Sequence, residues 1–108
     1  FYNGANVDSS VAGVAKWSRI GNVVHMAGYG TINPTSSTTL TELGIELIIA
    51  SDFTAVDDCS GTGKITTTVS GSGGIIADTA NNRALLQIAQ TGTTTSQPFT
   101  FQLMYVKK

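Results

Sequence analysis

The chain has 108 residues and a formal net charge of −1, and Lys, Arg, Asp and Glu together make up only 12% of it. That length suits one domain with a single core, burying about two-thirds of the unfolded surface. Six dispersed basic residues form no patch able to neutralise several phosphates, which excludes nucleic-acid binding, and no apolar run nears the ~18 residues that insertion into a membrane requires.

Residues 1–13 are expected to be a linker or an N-terminal strand from a preceding region, and residues 14–108 a single domain. An opening Phe1 with no signal-peptide order suits a piece of a longer protein. Residues 15–28 carry the strongest signal, two β-type segments around a Gly21-Asn22 loop, which is the mark of a hairpin. A two-residue loop pairs Ile20 with Val23, Arg19 with Val24, Ser18 with His25 and Trp17 with Met26, and paired residues share a face. One face collects Val11, Gly13, Ala15, Trp17, Arg19, Val24, Met26 and Ile32 and reads as core, with Trp17 as a buried anchor and the Arg19 head escaping at the rim. The other collects Val14, Lys16, Ser18, Ile20, Val23, His25 and Tyr29 and is mixed.

Turn clusters then recur about every ten residues, at Asn33-Pro34-Thr35-Ser36-Ser37, Asp57-Asp58-Cys59-Ser60-Gly61, Ser70-Gly71-Ser72-Gly73-Gly74, Asn81-Asn82 and Gly92-Thr93. Strands are expected at residues 44–50, 64–70 and 83–89, the last with Ala84, Leu86 and Ile88 on one side. Leu40, Leu43 and Leu47 also fit a helix, but Gly44 and the β-branched Ile48-Ile49 favour strand. The final segment alternates Phe99, Phe101, Leu103 and Tyr105 with Thr100, Gln102, Met104 and Val106, as a central strand does. The expected architecture is an all-β antiparallel β-sandwich, jelly-roll-like. The threonine clusters at Thr38-Thr39, Thr66-Thr67-Thr68 and Thr93-Thr94-Thr95 are irregularly spaced, and their strand propensity and solubility account for them.

Catalytic chemistry finds little footing. Ser or Cys nucleophiles need a base, and the one histidine, His25, sits mid-hairpin. Cys59 lies in an Asp-rich turn with no helix start to lower its pKa, and a single cysteine also excludes an internal disulfide. Asp57 and Asp58 fit backbone capping better than paired acid-base work. Gly71-Ser72-Gly73-Gly74 lacks the lysine and helix of a phosphate cradle and reads as a flexible hairpin loop. No cofactor is expected. Two metal arrangements are conceivable and neither is favoured: three copies of His25 about a trimer axis, and calcium on Asp52, Asp57 and Asp58. Tyr29 is either a ligand or interface residue or an ordinary surface tyrosine.

The aromatic-Ser-Arg-Ile-Gly-Asn-Val-Val hairpin, the Thr31-Ile32-Asn33-Pro34 run, the segment from Ile76-Ala77-Asp78 to Asn81-Asn82-Arg83-Ala84, and the closing Phe99-Thr100-Phe101 strand with Tyr105 together resemble the C-terminal domains of bacteriophage tail fibres and tailspikes. The resemblance covers residues 14–106 and rests on the order of loose hairpin patterns. It implies a β-sandwich at the tip of a homotrimeric fibre, serving receptor attachment, trimer assembly or both, on a virion made in the host cytoplasm. The expected function is non-enzymatic attachment to a bacterial surface glycan or protein, with two further copies of the chain as partners. Candidate receptor or interface residues are Tyr29, His25, Lys16, Asp57, Asp58, Asn81, Asn82 and Arg83. For residues 78–83 the competing reading is a tight turn held by Asp78 and the Asn side chains. The alternatives are a structural trimerisation and capping domain, or a carbohydrate-binding module of a larger enzyme.

Overall fold

A computed structural model describes residues 1–36, 39–66, 71–88 and 95–108. The strands are β1 (Tyr2–Asn3), β2 (Val7–Ile20), β3 (Val23–Pro34), β4 (Thr41–Ile45), β5 (Cys59–Ile65), β6 (Ser72–Asp78), β7 (Arg83–Ile88) and β8 (Gln97–Val106), with a 3-10 turn at Val56–Asp58. All neighbours pair antiparallel in one eight-stranded sheet, ordered β1-β4-β7-β6-β5-β8-β3-β2. The chain is all-β as expected, but the two layers of a sandwich are replaced by one ladder curled nearly closed as a barrel.

Alternation along each strand fills the interior. Phe99, Phe101, Leu103 and Tyr105 of β8 are buried, as are Val24, Met26 and Ile32 of β3 and Ala84, Leu86 and Ile88 of β7. β8 is central, flanked by β5 and β3. The hairpin register is the one its loop dictates, from Ile20↔Val23 to Trp17↔Met26. Gly21 takes φ +59°, which suits glycine at the first loop position.

Trp17 is not a core anchor: it is 51% exposed. It lies on the expected face, because its partner Met26 is buried. However, β2 is an edge strand, and the chain after β4 packs under β3 and β8 without covering it. A bulge between Ala12 and Ala15 sets two residues against Tyr29 and transfers Val11 from the expected core face to the outer one. The boundary placed at Gly13 falls inside this bulge. Upstream of it, Phe1 packs on Phe99 and Phe101 at ring-centroid distances of 5.5 and 6.1 Å, and its ring lies against Gly30.

Other boundaries move for identifiable reasons. The strand expected at 44–50 is β4, which ends at Ile45 because the chain then leaves the sheet to seal the barrel end. There the Tyr105 hydroxyl donates to Ile49 O at 2.7 Å and accepts from Ile49 N at 3.0 Å, and Ser51 Oγ donates to Val106 O at 3.2 Å. β5 starts at Cys59, not at Lys64. Residues 71–74 are not a loop; Ser72, Gly73 and Gly74 open β6, and Gly73 is pressed against the Gln87 carbonyl so closely that no Cβ fits. Residues 67–70 of the expected 64–70 strand, Ala89, the Gly92-Thr93 turn, Ser37, and Thr38, Thr67, Thr68, Thr93 and Thr94 of the threonine clusters lie outside the described residues.

The two edge strands are joined through residues 4–6, and Asn6 locks that joint. It sits at φ +60°, a region asparagine tolerates better than other side-chain-bearing residues. Its Nδ2 donates to Ser36 O at 2.8 Å and Thr41 Oγ1 at 2.9 Å, while its Oδ1 accepts from Ser36 N at 2.7 Å. The backbone adds Thr35 N to Asn6 O at 3.0 Å and Glu42 N to Ala5 O at 2.9 Å. Asn6→Ala loses these side-chain bonds and a longer one to Thr39 O, and adds left-handed strain, so chemical denaturation is expected to show a loss of about 2–3 kcal/mol. A loss near zero removes the joint from any role in closure.

Candidate functional site

The sequence candidates fall into two places. Lys16, His25 and Tyr29 share the outer face of the wall made by β2, β3, β8, β5 and β6, because their partners Ala27, Met104 and Thr100 also point outward. Register extends the rows: Ser18, His25, Met104 and Ser60 form one; Lys16, Ala27, Gln102, Thr62 and Gly74 the next; and Tyr29, Thr100, Lys64 and Ser72 a third. The middle row is low because Ala27, Thr62 and Gly74 are small. Larger side chains on either side leave two open depressions of about 510 and 910 Å³, which share Lys16, Ala27, Thr62 and Gln102. Tyr29 is 55% exposed, its ring lying over Gly13 in the bulge, which fixes its position beside the larger depression.

Lys64, Thr62 and Gln102 escaped the sequence reading. Alternation marks Gln102 and Lys64 as outward-facing, yet it cannot say that β8 brings β5 beside β3.

Asp57, Asp58, Asn81, Asn82 and Arg83 belong instead to the barrel end, where most of them serve the fold. Asp58 accepts from Thr54 N at 2.7 Å and Ala55 N at 2.9 Å and pairs with Lys108 Nζ at 2.8 Å. Those contacts, Lys108 foremost, hold its carboxyl well below the usual range. Asp78 is raised by burial but lowered more by hydrogen bonds from the Asn81 side chain and backbone and from Arg83, so its net shift is downward. Arg83 pairs with Asp78 at 3.1 Å and stands over the Tyr2 ring at 4.5 Å. Asn82, at φ +54°, accepts from Phe53 N at 2.9 Å. The tight-turn reading of residues 78–83 describes this arrangement.

Cys59 is buried inside the barrel and His25 is exposed outside it, and burial pushes the thiol up to about 12. Among the described residues no three His, Cys, Asp or Glu side chains gather as a metal site, and Asp52, Asp57 and Asp58 are not drawn together. No described helix is long and apolar enough to cross a membrane.

No family model matches the chain, and no solved structure matches it. Among curated proteins, Halomucin of Haloquadratum walsbyi is 36% identical over 85 residues, 78% of this chain. The chain spans about 1% of the length of that relative.

Two outcomes test the assignments at the barrel end. Because the folded pKa of Asp58 lies below its ordinary 3.8, its stabilising effect is present above that value and is lost as pH falls below it. Asp58→Asn is therefore expected to lower the melting temperature at neutral pH and to flatten its fall on acidification; an unchanged acid limb contradicts the assignment. The Cys59 thiol is expected to resist a thiol reagent in the native protein at pH 8 and to react at once in denaturant. Rapid native labelling shows it accessible.

Proposed function

We propose that this chain is a non-enzymatic attachment module of a virion fibre or spike, acting as a homotrimer and binding a bacterial surface glycan on its outer wall. The observation that carries the reading is the depression bordered by Tyr29, Lys16 and Lys64 and floored by Gln102, Thr62 and Thr100. An aromatic ring, an amide, hydroxyls and cations are the groups that take up a sugar's apolar face and its hydroxyls. A rigid sheet supports all of them, so little ordering accompanies binding. The match to a small fraction of a very long protein supports a module carried within an extended chain.

A second reading, a structural domain that trimerises and caps a fibre, is favoured by β2. Its side chains Val11, Val14, Trp17 and Ile20 are 51–80% exposed on an edge that pairs only with β3. An apolar edge of that kind suits contact with another subunit. Val14 and Trp17 also line the depressions, so the two readings meet along β2.

Light scattering of the purified chain is expected to give three times the chain mass, and Trp17→Asp to reduce it to one. A wild-type monomer sinks the fibre readings. Tyr29→Ala is expected to leave the assembly intact while weakening glycan binding about tenfold or more. Unchanged binding moves the ligand off this face.

A further inference from the structure

We propose that the two depressions on the outer wall form one site for an acidic saccharide, a chain of sugar rings bearing carboxylates that Lys16 and Lys64 hold from opposite sides of the larger depression. The inference rests on the glycan-binding reading and names its ligand class. Charge placement carries it.

The chain has six basic and seven acidic residues, and none of either lies outside the described residues. Arg83 is paired with Asp78 and Lys108 with Asp58, while Arg19 donates to Gly21 O and Lys107 to Lys108 O. Lys16 and Lys64 are left, exposed and with no hydrogen bond or ion pair among the described residues, and both border the same depression. No carboxylate lines either depression. Asp8 is in the bulge at the start of β2, Glu42 on β4 accepts from Gln87 of β7, and Glu46 lines a separate slot beyond β2. The other four are in residues 52–58 or at the end of β6. A molecule of net charge −1 thus presents two adjoining depressions whose lining carries full charges of positive sign alone.

Spacing favours a chain over a single small anion. Three strand separations and a two-residue offset set the Lys16 and Lys64 backbones roughly 15 Å apart, which several linked rings span and one carboxylate does not. Between them lie Gln102, Thr62 and Thr100, with Tyr29 at the side. These groups suit ring hydroxyls and one apolar sugar face. An acidic peptide fits less well. The central strands of the wall are paired on both sides, so no edge is open for strand addition there.

The test is titration calorimetry of the intact chain with a panel of oligouronates, their carboxyl-reduced counterparts and polyglutamate. Oligouronate is expected to bind about tenfold tighter than its reduced form. Lys16→Met and Lys64→Met should each weaken it about two- to fivefold with the melting temperature unmoved. Affinity should fall as salt rises from about 50 to 500 mM. Equal binding of the reduced oligosaccharides overturns the acidic ligand but leaves the glycan reading standing. Polyglutamate binding as tightly as oligouronate overturns the saccharide. Absence of binding by any saccharide overturns both.

Discussion

Everything in this barrel depends on how an eight-stranded sheet disposes of its two edges. β1 and β2 are those edges, and they are consecutive in the chain, so three residues bridge the seam at one end. Asn6 makes the bridge definite. Its side-chain amide bonds both the N–H and the carbonyl of Ser36, imitating a strand neighbour, and reaches Thr41 at the start of β4. With the seam fixed there, alternation on every strand has a defined inside. Phe1 then fills the space between the edges against Phe99 and Phe101. Farther along, β4 ends while β2 continues, and the seam opens. Trp17, on the inner face of β2, is exposed for that reason, whereas the bulge turns Val11 outward.

The division of labour among charges follows from the same architecture. Carboxylates at the barrel end accept backbone and side-chain N–H groups in turns, as Asp58 does from Thr54 and Ala55 and Asp78 from Asn81. Strand backbones in the wall are already satisfied by their neighbours and have no such use for an acid. The wall is therefore surfaced with threonine, serine, glutamine and small residues, and the two lysines there meet no counter-charge.

How much of this was legible in the sequence depended on range. A two-residue loop fixes its hairpin register locally, so Lys16, His25 and Tyr29 could be placed on one face. The alternation ending in Tyr105 likewise identified β8 as central. Burial of Trp17 was not legible, because it depends on whether anything lies beyond β2, and that is decided by where β4 stops. The glycines of residues 71–74 misled for a related reason. They look like loop punctuation, but at Gly73 the absent side chain admits a neighbouring carbonyl, a demand created by β7. Lys64 and Thr62 joined the site only through the crossover that sets β8 between β3 and β5.

The unequal anchoring of the two chain ends also gives the domain a mechanical direction. β8 lies between two long neighbouring strands, so a pull along it must shear both ladders together. β1 holds β4 by two residue pairs, Tyr2↔Gly44 and Asn3↔Leu43, which can separate in succession. Under end-to-end tension the N-terminal side therefore yields first, and the load passes next to the asparagine at the seam. Beyond it the load enters β2, the edge of the wall that bears Lys16.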